Sequence, residues 1–158
     1  VTKAATCLWF KSEAEEATRF YVETIPGSSL DRIVPYPMDI PHGKTGETMM
    51  TQFRLGGRDF MALNGNPSFP FTPAVSVALE FDGQAEVDRV WDALLVGGEA
   101  MACGWLKDRY GLAWQIVPKA MIRMLLDEDR TKVRRVFEAM TQMVKLDEAA
   151  LVRAFEGR

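Results

Sequence analysis

The stretch "CGWLKDRYGLAWQIVP", Cys103 to Pro118, decides how the chain is to be read. It divides into strand, tight turn and strand, with Asp108-Arg109-Tyr110-Gly111 as the turn and Gly111 at its positive-φ position. Trp114 and Ile116 alternate with Gln115, so one face of the second strand packs and Gln115 belongs to the other. Trp114 is therefore expected in the core. Trp105 shares a face with Lys107 and either packs there or lines the mouth of a groove. Asp108 is expected to serve the turn and a surface ion pair rather than catalysis. Whether this hairpin walls a site depends on what the rest of the chain places opposite it.

Upstream, "AVSVALEF" reads as a strand whose Val75, Val77, Leu79 and Phe81 face a helix and whose Ser76, Ala78 and Glu80 face away. "AEVDRVWDALLVGG" follows as a helix ended by glycines, with Trp91 on its apolar stripe, and "EAMAC" is a short strand. The order is β-α-β-β-β. The N-terminal part repeats it. "AATCLWF" is a strand with Trp9 in the core, and Ser12 caps the next helix with Glu15 completing a capping box. Pro26-Gly27 stops that helix, and "SLDRIVPY" is the second strand. After the Pro/Gly-rich loop "PMDIPHGKTGET", "MMTQFRL" and "RDFMALN" flank Gly56-Gly57 as a hairpin. The tail is helical: Val133, Val136, Phe137, Met140 and Val144 form one stripe, and Asp147 caps the last helix.

The expected fold class is thus α+β, two tandem βαβββ modules followed by helices, in a single domain spanning residues 1–158. Module one covers residues 4–64, a linker 65–73, module two 74–118 and the helical tail 119–158. A 47% apolar and 26% charged composition is that of a globular chain. The net charge of −3 offers no basic surface for nucleic acid. No apolar run reaches the length of a membrane span and no signal pattern opens the chain, so a cytoplasmic protein is expected. Cys7 and Cys103 are far apart and suggest neither a disulfide scaffold nor a zinc site. A nucleophilic Cys103 would need His42, the one histidine, to activate it.

Paired βαβββ modules resemble the vicinal oxygen chelate superfamily of glyoxalase I, extradiol dioxygenases and bleomycin-resistance proteins. "CLWF…AEEATRFY", "FRLGGRDFMALNG" and "CGWLKDRYGLAWQIVP" resemble its PhnB-like branch, often labelled 3-demethylubiquinone-9 3-methyltransferase. The resemblance implies a glyoxalase-like cavity between curved sheets, which in many members holds a divalent metal on the first and last strands of each module. The corresponding positions are Thr6, Met61, Ser76 and Gln115, with no imidazole and no carboxylate among them. His42 lies in the Pro/Gly loop, away from those strands. No metal and no cofactor are therefore expected. Methyl transfer is not expected either, because neither strand–helix turn, "FKSEAEE" or "FDGQAE", is a glycine fingerprint for a nucleotide.

Strand alternation places Met50, Gln52, Arg54, Ser76, Glu80 and Gln115 on the faces away from the helices. With Thr6, Met61 and Trp105 they form the expected ligand-binding groove. Arg54 and Glu80 either pair and orient a ligand or are solvated at the rim. The leading functional expectation is a metal-free small-molecule-binding homodimer. One alternative is an isomerase or lyase with Glu80 as catalytic base and Arg54 or Gln115 as electrophilic partner. Another is a dimer sequestering an aromatic drug, favoured by Phe69, Phe71 and Trp105. The tail stripe of Val133, Phe137, Met140 and Val144 would add to the dimer contact or fold back on its own chain.

Overall fold

The structure, a computed structural model, describes residues 2–66 and 68–158. Two compact units, Val1–Pro70 and Phe71–Arg158, each carry one four-stranded mixed sheet. In the first unit β1 (Thr6–Trp9) leads to α1 (Ala14–Thr24), then β2 (Ser29–Pro35), β3 (Thr48–Leu55) and β4 (Arg58–Leu63). The sheet order is β1-β4-β3-β2, with β1 parallel to β4 and the other pairs antiparallel. The second unit repeats this: β5 (Ser76–Phe81), α2 (Gln84–Leu95), β6 (Glu99–Ala100), β7 (Trp105–Lys107) and β8 (Ala113–Pro118), in the order β5-β8-β7-β6. Three helices follow: α3 (Lys119–Leu125), α4 (Arg130–Thr141) and α5 (Glu148–Glu156). The expected α+β repeat with its helical tail is the observed fold. Gly56 and Gly57 (φ 53° and 84°) turn the β3–β4 hairpin as expected, a conformation costly for any residue with a Cβ.

Helix α1 covers one face of the first sheet because Ala14, Ala17, Thr18 and Tyr21 recur at helical spacing and are fully buried. Beneath them lie Leu8, Phe53, Phe60 and Ala62. Two polar residues sit in this core. Thr18 Oγ1 donates to Ala14 O (2.7 Å), which leaves Thr51 to donate to Thr18 across a 2.6 Å contact, so both hydroxyls are satisfied.

The helix is not capped as the sequence suggests. Glu13 occupies the cap position with no side-chain cap bond, and Ser12 lies outside it. The cap comes instead from Asn64, just past β4: its Oδ1 accepts from Ala14 N (2.9 Å) while its Nδ2 donates to Thr48 O (2.8 Å). One amide thereby ties the helix start to β3. Glu15, freed from the capping box, accepts from Thr48 Oγ1 and pairs with Arg19 at 2.8 Å. Those two contacts, the hydroxyl first, hold its carboxyl below the usual range.

In the second unit Val87, Val90, Trp91 and Leu94 of α2 are buried, as are Leu106, Trp114 and Ile116 of the sheet. Val75 is not part of β5; it precedes the strand and is exposed, because its N–H turns back to Thr72 O. The tail belongs to this unit. Val117, Met121, Met124, Val136, Leu146 and Leu151 form one buried cluster. Gln84 holds the approach to α5 twice, donating to Leu146 O (3.0 Å) and accepting from Glu148 N (2.7 Å). Lys145 reaches Asp88 (3.2 Å) and Asp92 (2.9 Å) on α2. Gly104 N donates to Val144 O (2.7 Å), and a Cβ at Gly104 would lie 2.6 Å from Leu146 Cδ1. The expected tail stripe is split: Val133 and Val136 point inward, while Phe137 and Val144 remain exposed. Val144 lies beyond the end of α4, where helical spacing no longer applies. Asp147 caps α5 as expected, accepting from Ala150 N at 2.9 Å.

Asn64→Ala removes both the α1 cap and the bond to Thr48, and should lower unfolding free energy by about 2 kcal/mol in urea denaturation. Asn64→Asp, which keeps the cap acceptor, should lose less.

Candidate functional site

Cross-strand register sorts the first sheet into rows, because paired residues share a face. Leu8, Ala62, Thr51 and Ile33 form one row beneath α1, fixed there by the Thr18–Thr51 contact. Thr6, Phe60, Phe53 and Leu30 form the neighbouring row on the same side. The open face carries Cys7, Met61, Gln52 and Arg32 in one row and Trp9, Leu63, Met50 and Val34 in the next. Gln52, Met50 and Met61 therefore stand where the sequence placed them. Thr6 does not: it falls on the helix side and Cys7 takes its place, since the parallel register with β4, rather than distance from α1, sets the row. The open face is also less uniformly polar than expected, grading from an apolar row at Trp9 to charges at Arg54 and Asp59. Trp9 is 39% exposed rather than core, its ring stacked on Phe69 at 5.7 Å.

At the charged end, Arg54 meets Asp31 with Nε and Nη2 each 3.2 Å from a carboxylate oxygen. This fork, with Ser29 behind it, holds the Asp31 carboxyl below its usual range. Arg54 thus has a carboxylate partner, Asp31, on its own sheet. Lys3 pairs with Asp59 at 3.2 Å. Both pairs border a cleft of about 230 Å³ lined by Lys3, Asp31, Gln52, Asp59 and Met61. Two of the expected ligand residues, Gln52 and Met61, meet there.

In the second sheet Gln115 pairs in register with Trp105 on one side and Ala78 on the other. Its Nε2 donates to Ser76 Oγ at 2.9 Å, so Ser76, Trp105 and Gln115 come together on the face away from Trp114. Glu80 is exposed on β5, two residues beyond Ala78. Cys103 lies in a turn with φ 61°, its N–H given to Met143 O, and pairs with no imidazole there.

Asp108 departs from its expected surface role. It is 3% exposed, and its carboxylate accepts from Tyr110 N (2.8 Å), Leu112 N (3.1 Å) and Trp114 Nε1 (2.8 Å). A buried carboxylate bonded in this way fixes both the turn and the indole beneath the sheet. The β7–β8 hairpin is therefore core on one face and open on the other.

His42 lines a cavity of about 410 Å³ with Lys11, Glu15, Tyr36, Glu47, Thr48 and Asn64, at the start of β3 and just past the end of β4. The loop's Pro/Gly content signalled a turn; nothing in its spacing signalled where that turn would lie.

The first and last strands of the first unit carry a thiol and a thioether, Cys7 and Met61, and those of the second a hydroxyl and an amide, Ser76 and Gln115. Ser76 and Gln115 already bond each other. This donor set does not fit a divalent ion, which takes imidazole, carboxylate or thiolate clusters. No group of three or more His, Cys, Asp or Glu able to hold a metal occurs among the described residues. Nor does any described helix have the length and apolarity to cross a membrane.

A model of the protein family described as 3-demethylubiquinone-9 3-methyltransferase matches residues 2–117. Among solved structures, a Bacillus cereus PhnB protein, provisionally described as a 3-demethylubiquinone-9 3-methyltransferase, is 32% identical. The similarity covers 74% of this chain and 98% of that one with a TM-score of 0.67. Protein PA1353 of Pseudomonas aeruginosa is 25% identical over 75% of this chain and 97% of its own, with a TM-score of 0.60. A mutant fosfomycin resistance protein FosX of Listeria monocytogenes, complexed with Mn(II) and 1S,2S-dihydroxypropylphosphonic acid, shares the fold. It is 13% identical over 80% of this chain and 99% of its own, with a TM-score of 0.56. No curated protein matches the chain.

Asp108→Ala strands two backbone N–H groups and the indole of Trp114, and should cost about 3 kcal/mol of stability. Loss of the near-ultraviolet circular dichroism of Trp114 should accompany it. Glu80→Ala, at an exposed position, should leave the urea midpoint unchanged.

Proposed function

The chain belongs to the 3-demethylubiquinone-9 3-methyltransferase family, within the PhnB-like branch of the vicinal oxygen chelate superfamily, and from that premise we propose that it binds a small polar molecule on the open faces of its sheets without a metal ion. The observation that carries this reading is the open-face row Cys7–Met61–Gln52–Arg32 beside its 230 Å³ cleft. The amide of Gln52 lines the cleft beside Met61 and the charged Lys3, Asp31 and Asp59, and the guanidinium of Arg32 neighbours it in the row, polar groups of the kind by which small-molecule sites orient a ligand. The Ser76–Gln115–Trp105 group offers the second sheet's equivalent.

Metal independence rests on the donor set. A ligand on the first sheet meets the neutral side chains of Cys7, Met61 and Gln52 and the cation of Arg32; one on the second sheet meets Ser76 and Gln115. Methyl transfer from a nucleotide donor has no support in the β1–α1 or β5–α2 turns. The first is "FKSE", and in the second Gly83 is a single glycine rather than a phosphate-binding fingerprint. For the isomerase or lyase alternative, Arg54 is engaged by Asp31, and Gln115 is left as the electrophilic partner. Sequestration of an aromatic compound keeps one specific observation in its favour. Trp9 and Phe69 form a stacked, exposed pair at the apolar end of the same face.

The proposal extends to a homodimer. Strands β1, β2, β5 and β6 are sheet edges, each with one partner within its own sheet, and edges of this kind are commonly covered by a second copy. Light scattering at micromolar concentration should return twice the chain mass; a monomer overturns this part.

A thermal-shift screen of polar metabolites and aromatic acids should identify ligands that raise the melting temperature. Gln52→Ala and Gln115→Ala should each weaken such a ligand about tenfold. Extensive dialysis against EDTA should leave affinity unchanged. If EDTA abolishes binding and Mn(II) or Zn(II) restores it, the metal-independent reading is wrong.

A further inference from the structure

The cavity around His42 shares no lining residue with the 230 Å³ cleft at Gln52. The loop that presents His42 is braced at several points. Asp39 accepts from Thr45 N (2.9 Å) and Thr45 Oγ1 (2.8 Å) and pairs with Lys44 at 3.0 Å. Glu47 Oε2 accepts from Lys44 N at 2.9 Å. Ile40 and Gly43 exchange backbone bonds of 2.9 and 3.3 Å, making Pro41 and His42 the two central residues of a tight turn. Tyr36, 6% exposed, packs its ring against Gly43 so closely that a Cβ there would lie 2.2 Å from Cε2. Its hydroxyl reaches the backbone at Gly65, 3.3 Å from where that residue's Cβ would stand. A buried ring thus seats the turn, and the turn holds the chain's single histidine over the start of α1.

The charges lining this cavity are of both signs, and they are not paired with each other. Glu15 is neutralised by Arg19. Lys11 and Glu47, by contrast, form no ion pair among the described residues, although both line the cavity. An isolated anion would meet Glu47, and an isolated cation would meet Lys11. A molecule carrying both charges satisfies both walls. A cavity of about 410 Å³ lies within the range that small-molecule sites occupy.

We infer that this cavity is a second small-molecule site, for a small zwitterion of the α-amino acid type, whose carboxylate is met by Lys11 and whose ammonium group is met by Glu47. His42 and the Tyr36 hydroxyl supply the neighbouring hydrogen-bonding groups, and Asn64 and Thr48 form the floor. This site does not depend on the open-face reading, and either can fail alone.

The test uses the full chain and the one imidazole it contains, whose carbon-bound proton signals in an NMR spectrum need no assignment. Glycine, L-serine and L-glutamine are titrated, with acetate and methylammonium as single-charge controls. At least one amino acid should shift the His42 signals saturably, and both controls should bind at least tenfold more weakly. Lys11→Gln and Glu47→Gln should each weaken the amino acid about tenfold, as expected for loss of a charged hydrogen bond. Glu47→Gln retains an acceptor for Lys44 N, so the loop keeps its brace, and an unchanged melting temperature checks this. Gln52→Ala, on the open face, should leave the titration as it is. The inference is overturned if no amino acid shifts His42 at tens of millimolar, if acetate or methylammonium alone binds as well, or if both charge variants leave the affinity unchanged.

Discussion

Each module closes by parallel pairing of its first strand with its last, β1 with β4 and β5 with β8. Two strands far apart in sequence can run parallel only if the chain crosses between them, and α1 and α2 make that crossing. The helix then lies on one face and leaves the other open. Which residues share the open face follows from the same pairing: Cys7 meets Met61 and Ala78 meets Gln115. Asparagines secure the closure in the first unit. Asn66 Nδ2 donates to Trp9 O at 3.1 Å, and Asn64 caps the crossing helix. The open face is therefore a product of both kinds of pairing: hairpins set Gln52 beside Met61 and Trp105 beside Gln115, and closure adds Cys7 and Ala78.

That dependence explains what the sequence could and could not disclose. Alternation within β3 placed Gln52 and Arg54 opposite Phe53 and Leu55, because a strand's faces follow from period two alone. Helical spacing found Ala14, Ala17 and Tyr21, and the paired glycines found the β3–β4 hairpin. Thr6 was misplaced by one residue because its row is set by a partner more than fifty positions away. Ser12 had the right chemistry for a cap, yet Asn64 arrived from β4 with an amide that could bond the helix and β3 together. Asp108 looked like a solvated turn residue. Only the position of Trp114 beneath the turn makes its burial intelligible. The cavity at His42 had no sequence signal beyond a Pro/Gly loop, since its walls come from four separate segments.

The comparison with FosX sharpens the chemical reading. That protein is solved with Mn(II) on the same fold, whereas the open-face row of the first sheet here carries a thiol, a thioether, an amide and a guanidinium. Fold and chemistry separate in this way because strands supply positions and side chains supply the reaction. The family description concerns the fold's relatives; the donor set concerns this chain. The open face of the first sheet carries Arg32 as its cation and Trp9 at its apolar end.

The attachment of the tail bears on how the protein is made. All strands and the helix of the first unit lie before residue 70, so a ribosome that has released that segment has released everything the unit needs. The second unit is different. Gly104 and Gln84 find their partners at Val144, Leu146 and Glu148, and Leu151 completes the buried cluster. Until those residues clear the exit tunnel, α2 and the turn before β7 have apolar surface and backbone groups without partners. The first half can therefore fold during synthesis while the second waits for residues well beyond its own sheet, out to Leu151.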